Sequence, residues 1–286
     1  MWIALSLFSG LSDALRDATS KYGAGRVPRI MVAWSYSLFA LPYFLPILVL
    51  QKPAHLPASF WLLAGCMGIT HVVGSLGLVY ALSVSELSLC IPMIAFSPVF
   101  LLVVGPLVNG HTPSGYAVGG TLLVALGCYL LNISDLRKGL LAPIRALGRD
   151  RGVRVMLALA LLWSVTAAID LEAVRTYGLG FWAAAELTAI ALAFLPWILA
   201  TKPYRGMNRG SWGMLAGIGL WNALSFGPYL VALSSAHALS VICLKRCNIF
   251  FALILGRVVF NENSLRGRLI GASLMFAGLC ILTILG

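Results

Sequence analysis

Charge is what this sequence has least of. Among 286 residues, 10% are charged, nine are Asp or Glu and four are His. An ordinary soluble domain carries roughly 25% charged residues, so that class is excluded. No G-x-x-x-x-G-K-[ST] stretch occurs, and with it goes any ATP-driven engine within the chain. The four histidines, His55, His71, His111 and His237, form no close motif with a carboxylate or cysteine. No nucleophile–base signature stands out either, so neither catalytic residues nor a cofactor are expected. Cys66, Cys90, Cys128, Cys243, Cys247 and Cys280 all fall in apolar stretches and read as small core residues, not a disulfide framework. Cys243 and Cys247 are one helical turn apart, but no His or carboxylate at a suitable spacing completes a metal site, and none is expected. A cleavable signal is not expected, because the first apolar stretch carries Asp13, Arg16 and Asp17.

What the chain does have is apolar length. It is 60% hydrophobic with a mean hydropathy of +0.94, the composition of a polytopic membrane protein. A net charge of +11 would suggest nucleic acid in a soluble protein. Here it fits basic loops facing the cytoplasm and anionic lipid, with no nucleic-acid partner. Ten apolar segments end at charges, Pro or Gly: 2–22, 28–50, 58–82, 86–108, 114–133, 154–176, 179–200, 211–234, 238–260 and 266–285. Each is long enough for a helix crossing the roughly 30 Å hydrocarbon core. Segment four holds Pro92, Pro98 and Pro106, which a membrane helix tolerates where neighbours re-satisfy its backbone. The connection 134–153 alternates basic residues with leucines, which suits either a membrane-surface segment or a solvated linker.

The chain also repeats. A displacement of 151 residues pairs Trp61 with Trp212, Gly68 with Gly219, Gly105 with Gly256, Gly120 with Gly271 and Gly127 with Gly278. The run Ala81-Leu82-Ser83 meets Ala232-Leu233-Ser234 at the same displacement. Chance similarity between apolar stretches would not keep that register. The expected fold is an all-α membrane protein of ten transmembrane helices, built as two five-helix repeats, 1–133 and 154–286, around the loop 134–153. An odd number of crossings per half inverts the second half, the architecture that supports alternating access.

Two repeats of five helices, the second closing on GRLIGASLMFAGLCIL, resemble the drug/metabolite transporter superfamily, and more narrowly its EamA-domain members. The stretch GRVVFNENSLRGRLIGASLMFAG is similar to that family's acidic residue before the last helix, with Glu262 in place; the first half has His111 at the matching position. Lys245-Arg246 resembles the basic pair in the ninth helix of the sugar-phosphate translocator branch. The resemblance implies a transporter mechanism and leaves the substrate open among amino acids, drugs, nucleotide sugars, phosphorylated sugars and lipid precursors.

The charges inside the membrane carry the functional expectations. Lys245 and Arg246 sit together near the middle of segment nine, where each cation costs at least ~2.5 kcal/mol unless a partner or a watery cavity receives it. They are the candidate site for a substrate carboxylate or phosphate; a structural ion pair is the alternative. His71 and Asn222 occupy matched repeat positions, and Tyr80, Tyr229 and Trp163 could supply walls. Glu186, flanked by Ala183, Ala184 and Ala185, is the candidate proton-coupling acid or a charge partner for Lys245 or Arg246. Asp13, Arg16 and Asp17 share one face of segment one, and Asp170, Glu172 and Arg175 lie in segment six. They read either as two gates, one at each mouth, or as snorkelling side chains with intrahelical pairs.

A secondary transporter of a small anionic or zwitterionic metabolite is the leading expectation, as monomer or homodimer in the cell (inner) membrane. A flippase-like carrier of a lipid phosphate, or of another amphiphile, stands beside it. An integral-membrane transferase is a third class, disfavoured by the missing catalytic cluster. Connections after odd-numbered segments hold Lys21, Arg26, Arg29, Arg137, Lys138, Arg145, Arg149, Arg151, Arg154, Lys202, Arg205, Arg209, Arg266 and Arg268; the even-numbered ones hold Lys52 and Arg175. The positive-inside rule therefore puts the odd connections in the cytoplasm and both termini outside. The habit of the family is the reverse, with termini in the cytoplasm.

Overall fold

The computed structural model describes residues 1–51, 55–97, 99–100, 103–104, 115–130, 148–235, 241, 244–262 and 265–284. His111, Cys243 and most of the connection 134–153 fall outside them. The elements are helices throughout: α1 (Trp2–Ala24), α2 (Arg29–Leu38), α3 (Leu41–Leu50), α4 (Ala58–Val84), α5 (Leu87–Cys90), a 3-10 turn (Ile91–Ala95), α6 (Gly115–Leu130), α7 (Arg151–Tyr177), α8 (Leu179–Thr201), α9 (Arg209–Ser235), α10 (Asn248–Phe260) and α11 (Leu265–Ile284). Among the described residues five spans are long and apolar enough to cross a membrane, Arg29–Leu50, Ala58–Val84, Arg151–Tyr177, Leu179–Thr201 and Arg209–Ala232, and shorter apolar helices run over Val118–Gly127, Asn248–Phe260 and Arg268–Ile281.

The side chains are arranged for lipid. Helix α1 buries Ser6, Ser9, Ser12, Asp13 and Asp17, while Ile3 and Phe8 face outward. Trp61, Leu62, Ile69 and Val73 of α4 are likewise exposed. Polar-in and apolar-out is the order that a hydrocarbon solvent rewards.

Among the described residues, three of the ten segments show an interruption. Segment two bends between α2 and α3, because Pro42 has no N–H to give the Leu38 carbonyl. Segment four starts as α5, tightens into the 3-10 turn at Pro92 and is helical again at Phe96 and Ser97. Segment nine is helical at Leu244 and Lys245, turns at Arg246 and Cys247, and resumes as α10. Tight bonds mark that turn: Cys247 N–H to Leu244 O at 3.0 Å and Ile249 N–H to Arg246 O at 3.1 Å. The 151-residue displacement lays Arg246 on Ala95 and Cys247 on Phe96, so the two breaks correspond.

Glycines show the inverted repeat in contact. A Cβ on Gly127 of α6 would stand 2.5 Å from the Gly271 carbonyl oxygen of α11, and one on Gly278 of α11 would stand 2.6 Å from that of Gly120 in α6. These are two of the four glycine pairs of the sequence repeat, each meeting the other's partner. Gly68 of α4 presses on Ala189 of α8, and its mate Gly219 of α9 presses on Ser35 of α2. Small residues let membrane helices approach this closely. Gly10 does so at the segment-nine break, where a Cβ would lie 2.6 Å from the Lys245 carbonyl oxygen.

Candidate functional site

A cavity of about 450 Å³ lies between the repeats. Side chains from both breaks line it, Ile94 and Ser97 from segment four and Lys245, Arg246 and Asn248 from segment nine. Helices cannot keep every backbone group paired through a break, so the breaks belong beside a cavity and not against lipid.

One charged cluster joins α1, α9 and the segment-nine break. Arg16 lies 2.9 Å from Asp13 and 2.8 Å from Asp17. Its guanidinium also donates to Asn222 Oδ1 at 3.0 Å, and Asn222 Nδ2 donates to the Tyr36 carbonyl at 2.9 Å. Lys245 Nζ stands 3.2 Å from Asp13 and 4.5 Å from the centroid of the Tyr229 ring. Ser225 donates to Asp13 at 2.7 Å. Arg246 differs from its neighbour. Among the described residues it has no ion-pair partner, and its Nε is buried without a hydrogen bond. Three cations, Arg16, Lys245 and Arg246, therefore face two carboxylates, Asp13 and Asp17, leaving one positive charge uncompensated. An unpaired buried cation is costly, and an anion in the cavity would offset that cost.

A second cluster joins α4, α7 and α8. His71 Nε2 lies 2.7 Å from Glu186 Oε1, and Trp182 Nε1–H donates to Asp170 Oδ1 at 3.0 Å. One ligating atom each of His71, Asp170 and Glu186 fall within 4.8 Å of one another. His71, Asp170 and Trp163 line the cavity; Trp163 also packs on Gly74, its Nε1 3.1 Å from where a Cβ would sit.

Several expectations need correcting. Glu186 meets His71 and not Lys245 or Arg246, because α8 packs on α4. Tyr80 is no cavity wall: it stands near the end of α4 beside Arg29, which sits 5.3 Å over its ring, and beside Arg151 and Arg154. The two-gate arrangement is not formed. Asp13 and Arg16 line the central cavity with Asp17 buried behind them, whereas Glu172 and Arg175 make an exposed intrahelical pair at 3.6 Å. Asp170, on the same helix, turns inward to the His71 cluster instead.

A closure the sequence did not announce lies at the face of the odd-numbered connections. Glu262 accepts from the backbone N–H of Leu87 at 2.6 Å, the N–H of Ser88 at 2.9 Å and the Ser88 hydroxyl at 2.5 Å. Lys21 Nζ is 3.4 Å from the same carboxylate and donates to the Ser85 carbonyl. Ser85 also bonds Asp150, and Arg268 reaches Glu86 and Ser88. These bonds tie the first repeat to the second. Burial would push the Glu262 carboxyl up, but the Ser88 and Leu87 hydrogen bonds and the Lys21 charge outweigh it and hold the group below its ordinary value. The only sequence signal was Glu262 in its acidic place before the last segment.

Fold and cavity together define a two-repeat helical membrane transporter. The chain belongs to the EamA-like transporter family, which matches residues 1–133 and 150–284. It is a transporter and not an enzyme. No curated protein matches it. One solved structure, described only as "Crystal structure of protein", is similar at a TM-score of 0.64 and 15% identity, over 98% of this chain and 96% of its own. That likeness shows the fold alone.

Proposed function

We propose that this chain is a secondary active transporter that moves a small anionic or zwitterionic metabolite by alternating access. The substrate binds in the central cavity, its carboxylate or phosphate on Arg246 with Lys245 alongside. The observation that carries this reading is the unpaired Arg246 at a helix break facing the cavity. Its planar guanidinium can grip an oxyanion with two parallel hydrogen bonds, whereas Lys245 is already engaged by Asp13. Asn222, Tyr229 and Trp163 shape the surroundings, and Glu186 with His71 is the group whose protonation or partner changes during the cycle. Rocking of the repeats breaks the seam at Glu262 and opens the cavity to the other side. The odd-numbered connections face the cytoplasm of the cell membrane, as their basic residues require.

A second reading has its own support. An apolar groove of about 780 Å³ runs along the outside of α3, α4 and α8, lined by Leu48, Phe60, Trp61, Ile69 and Phe181. A lipid phosphate could lay an acyl chain there.

Purified protein in sealed liposomes, loaded in turn with small carboxylates, phosphate esters and amino acids, tests both. Exchange of label for at least one soluble anion or zwitterion, lost in Arg246→Gln, is expected. Exchange confined to lipid phosphates favours the second reading, and full exchange in folded Arg246→Gln overturns the site.

A further inference from the structure

The cluster of His71, Asp170 and Glu186 has a chemistry that anion binding leaves unused. One imidazole and two carboxylates arrive from three helices, α4, α7 and α8, at positions no local motif links. His71 Nε2 and Glu186 Oε1 are both inaccessible to solvent and stand 2.7 Å apart, an ion pair whose two facing atoms are both metal-ligating types. The three ligating atoms span at most 4.8 Å. Metal–ligand bonds of about 2.1 Å put cis ligands about 3 Å and trans ligands about 4.2 Å apart, so the widest pair would draw in by at most about 0.6 Å if trans and about 1.8 Å if cis. Side-chain torsions supply that.

We propose that His71, Asp170 and Glu186 bind one divalent transition-metal ion, of the Mn²⁺ or Zn²⁺ kind, beside the substrate cavity. Three observations support it. Charge is the first: a neutral imidazole, two carboxylates and a divalent ion sum to zero, which suits a site shielded from water. Donor chemistry is the second, since mixed imidazole and carboxylate ligands select such ions over alkali cations or soft copper(I). The third is the indole N–H of Trp182 on Asp170 Oδ1 at 3.0 Å, which fixes that carboxylate and leaves its other oxygen for the ion. Bound there, the ion takes lone pairs that protons would otherwise hold.

The test needs no substrate and no transport, so its failure is separate from failure of the proposed anion site. Mn²⁺ is the probe, because free thiols such as those of Cys66 and Cys90 bind it poorly. Detergent-purified full-length chain is titrated with Mn²⁺ alone, and the loss of the free-ion EPR signal gives stoichiometry and Kd. One ion per chain is expected, weakened at least tenfold in each of His71→Gln, Asp170→Asn and Glu186→Gln. Trp182→Phe, which touches no ion, should weaken it by about tenfold through loss of the orienting bond. Melting temperature and gel-filtration profile identify any variant that fails to fold, and the other two ligand variants then decide. No saturable binding to the parent chain, or binding unchanged in the folded ligand variants, overturns the site.

Discussion

Segment four breaks at Ile91–Ala95 and segment nine at Arg246–Cys247, and the repeat overlaps the two breaks at Ala95 and Arg246. At the first break the cavity receives Ile94 and Ser97; at the second it receives Lys245, Arg246 and Asn248. Proline forces the first turn. The second has no proline and is instead overlaid by α1 at Gly10. One backbone device has thus been kept twice with two chemistries. An inverted repeat needs symmetry in its backbone to reach two related states, but a ligand of one sign needs only one charged break. The internal homology therefore predicts where a site is and not what it holds.

The largest effect should come from the paired cation at the charged break. Lys245→Gln removes one of the two cations on Asp13 and leaves Arg16 and the Ser225 hydroxyl, and losing a charge-assisted hydrogen bond costs about 1.5–3 kcal/mol. A clear fall in melting temperature is the expected outcome. Arg246→Gln should do the reverse, since it breaks no ion pair among the described residues. Its melting temperature should stay near the parent value, while substrate binding weakens by the roughly 1.5–3 kcal/mol of charge-assisted hydrogen bonds, about 10- to 200-fold. A thermal scan beside a binding titration on both variants separates the two roles. Two neighbours that respond alike would erase the distinction drawn between them.

Where the repeats are the same, their variants should behave the same. Gly127→Ala and Gly278→Ala each drive a methyl group into the partner backbone between α6 and α11, at 2.5 and 2.6 Å. Overpacking of this kind costs about 1–3 kcal/mol, and the two variants should lose comparable stability. Gly213→Ala meets nothing within 4 Å and should be neutral. Unequal losses at Gly127 and Gly278 would mean the pseudo-symmetry stops short of the packing.

Much of this was legible in the sequence. Ten apolar segments, the register of Gly120, Gly127, Gly271 and Gly278, and the cation pair at 245–246 all follow from composition, periodicity and the cost of charge in hydrocarbon. Neighbours across the bundle did not follow. Glu186 lies 115 residues from His71 in the chain, and a lone buried acid looks the same whichever cation it meets. Tyr80 looked like a wall because aromatic side chains serve cavities and interfaces alike. Asp17 and Glu172 align at a displacement of 155 residues yet differ, the one buried and the other exposed, because alignment of helices fixes depth and not rotation.

The smallest effect should lie at the seam. Glu262 receives two backbone N–H groups and a hydroxyl at the start of α5, and Lys21 adds a charge. Because its folded-state carboxyl is held below the ordinary value of 4.5, the unfolded chain binds the proton more readily. The seam's contribution is therefore complete above that value and is lost as pH falls through the lower, folded one. Melting of the parent chain should drop between about pH 4.5 and more acid conditions, and Glu262→Gln should flatten part of that slope at a cost of about 1 kcal/mol near neutrality. The matching place in the first repeat is His111, which has no carboxylate to titrate there, so of the two matched places only the Glu262 seam adds this acid sensitivity. Hydrogen exchange at the Leu87 and Ser88 amides reads it directly. Exchange that quickens in Glu262→Gln while the α6–α11 contact stays protected would place the opening at the seam; uniform loss of protection would mean global unfolding instead.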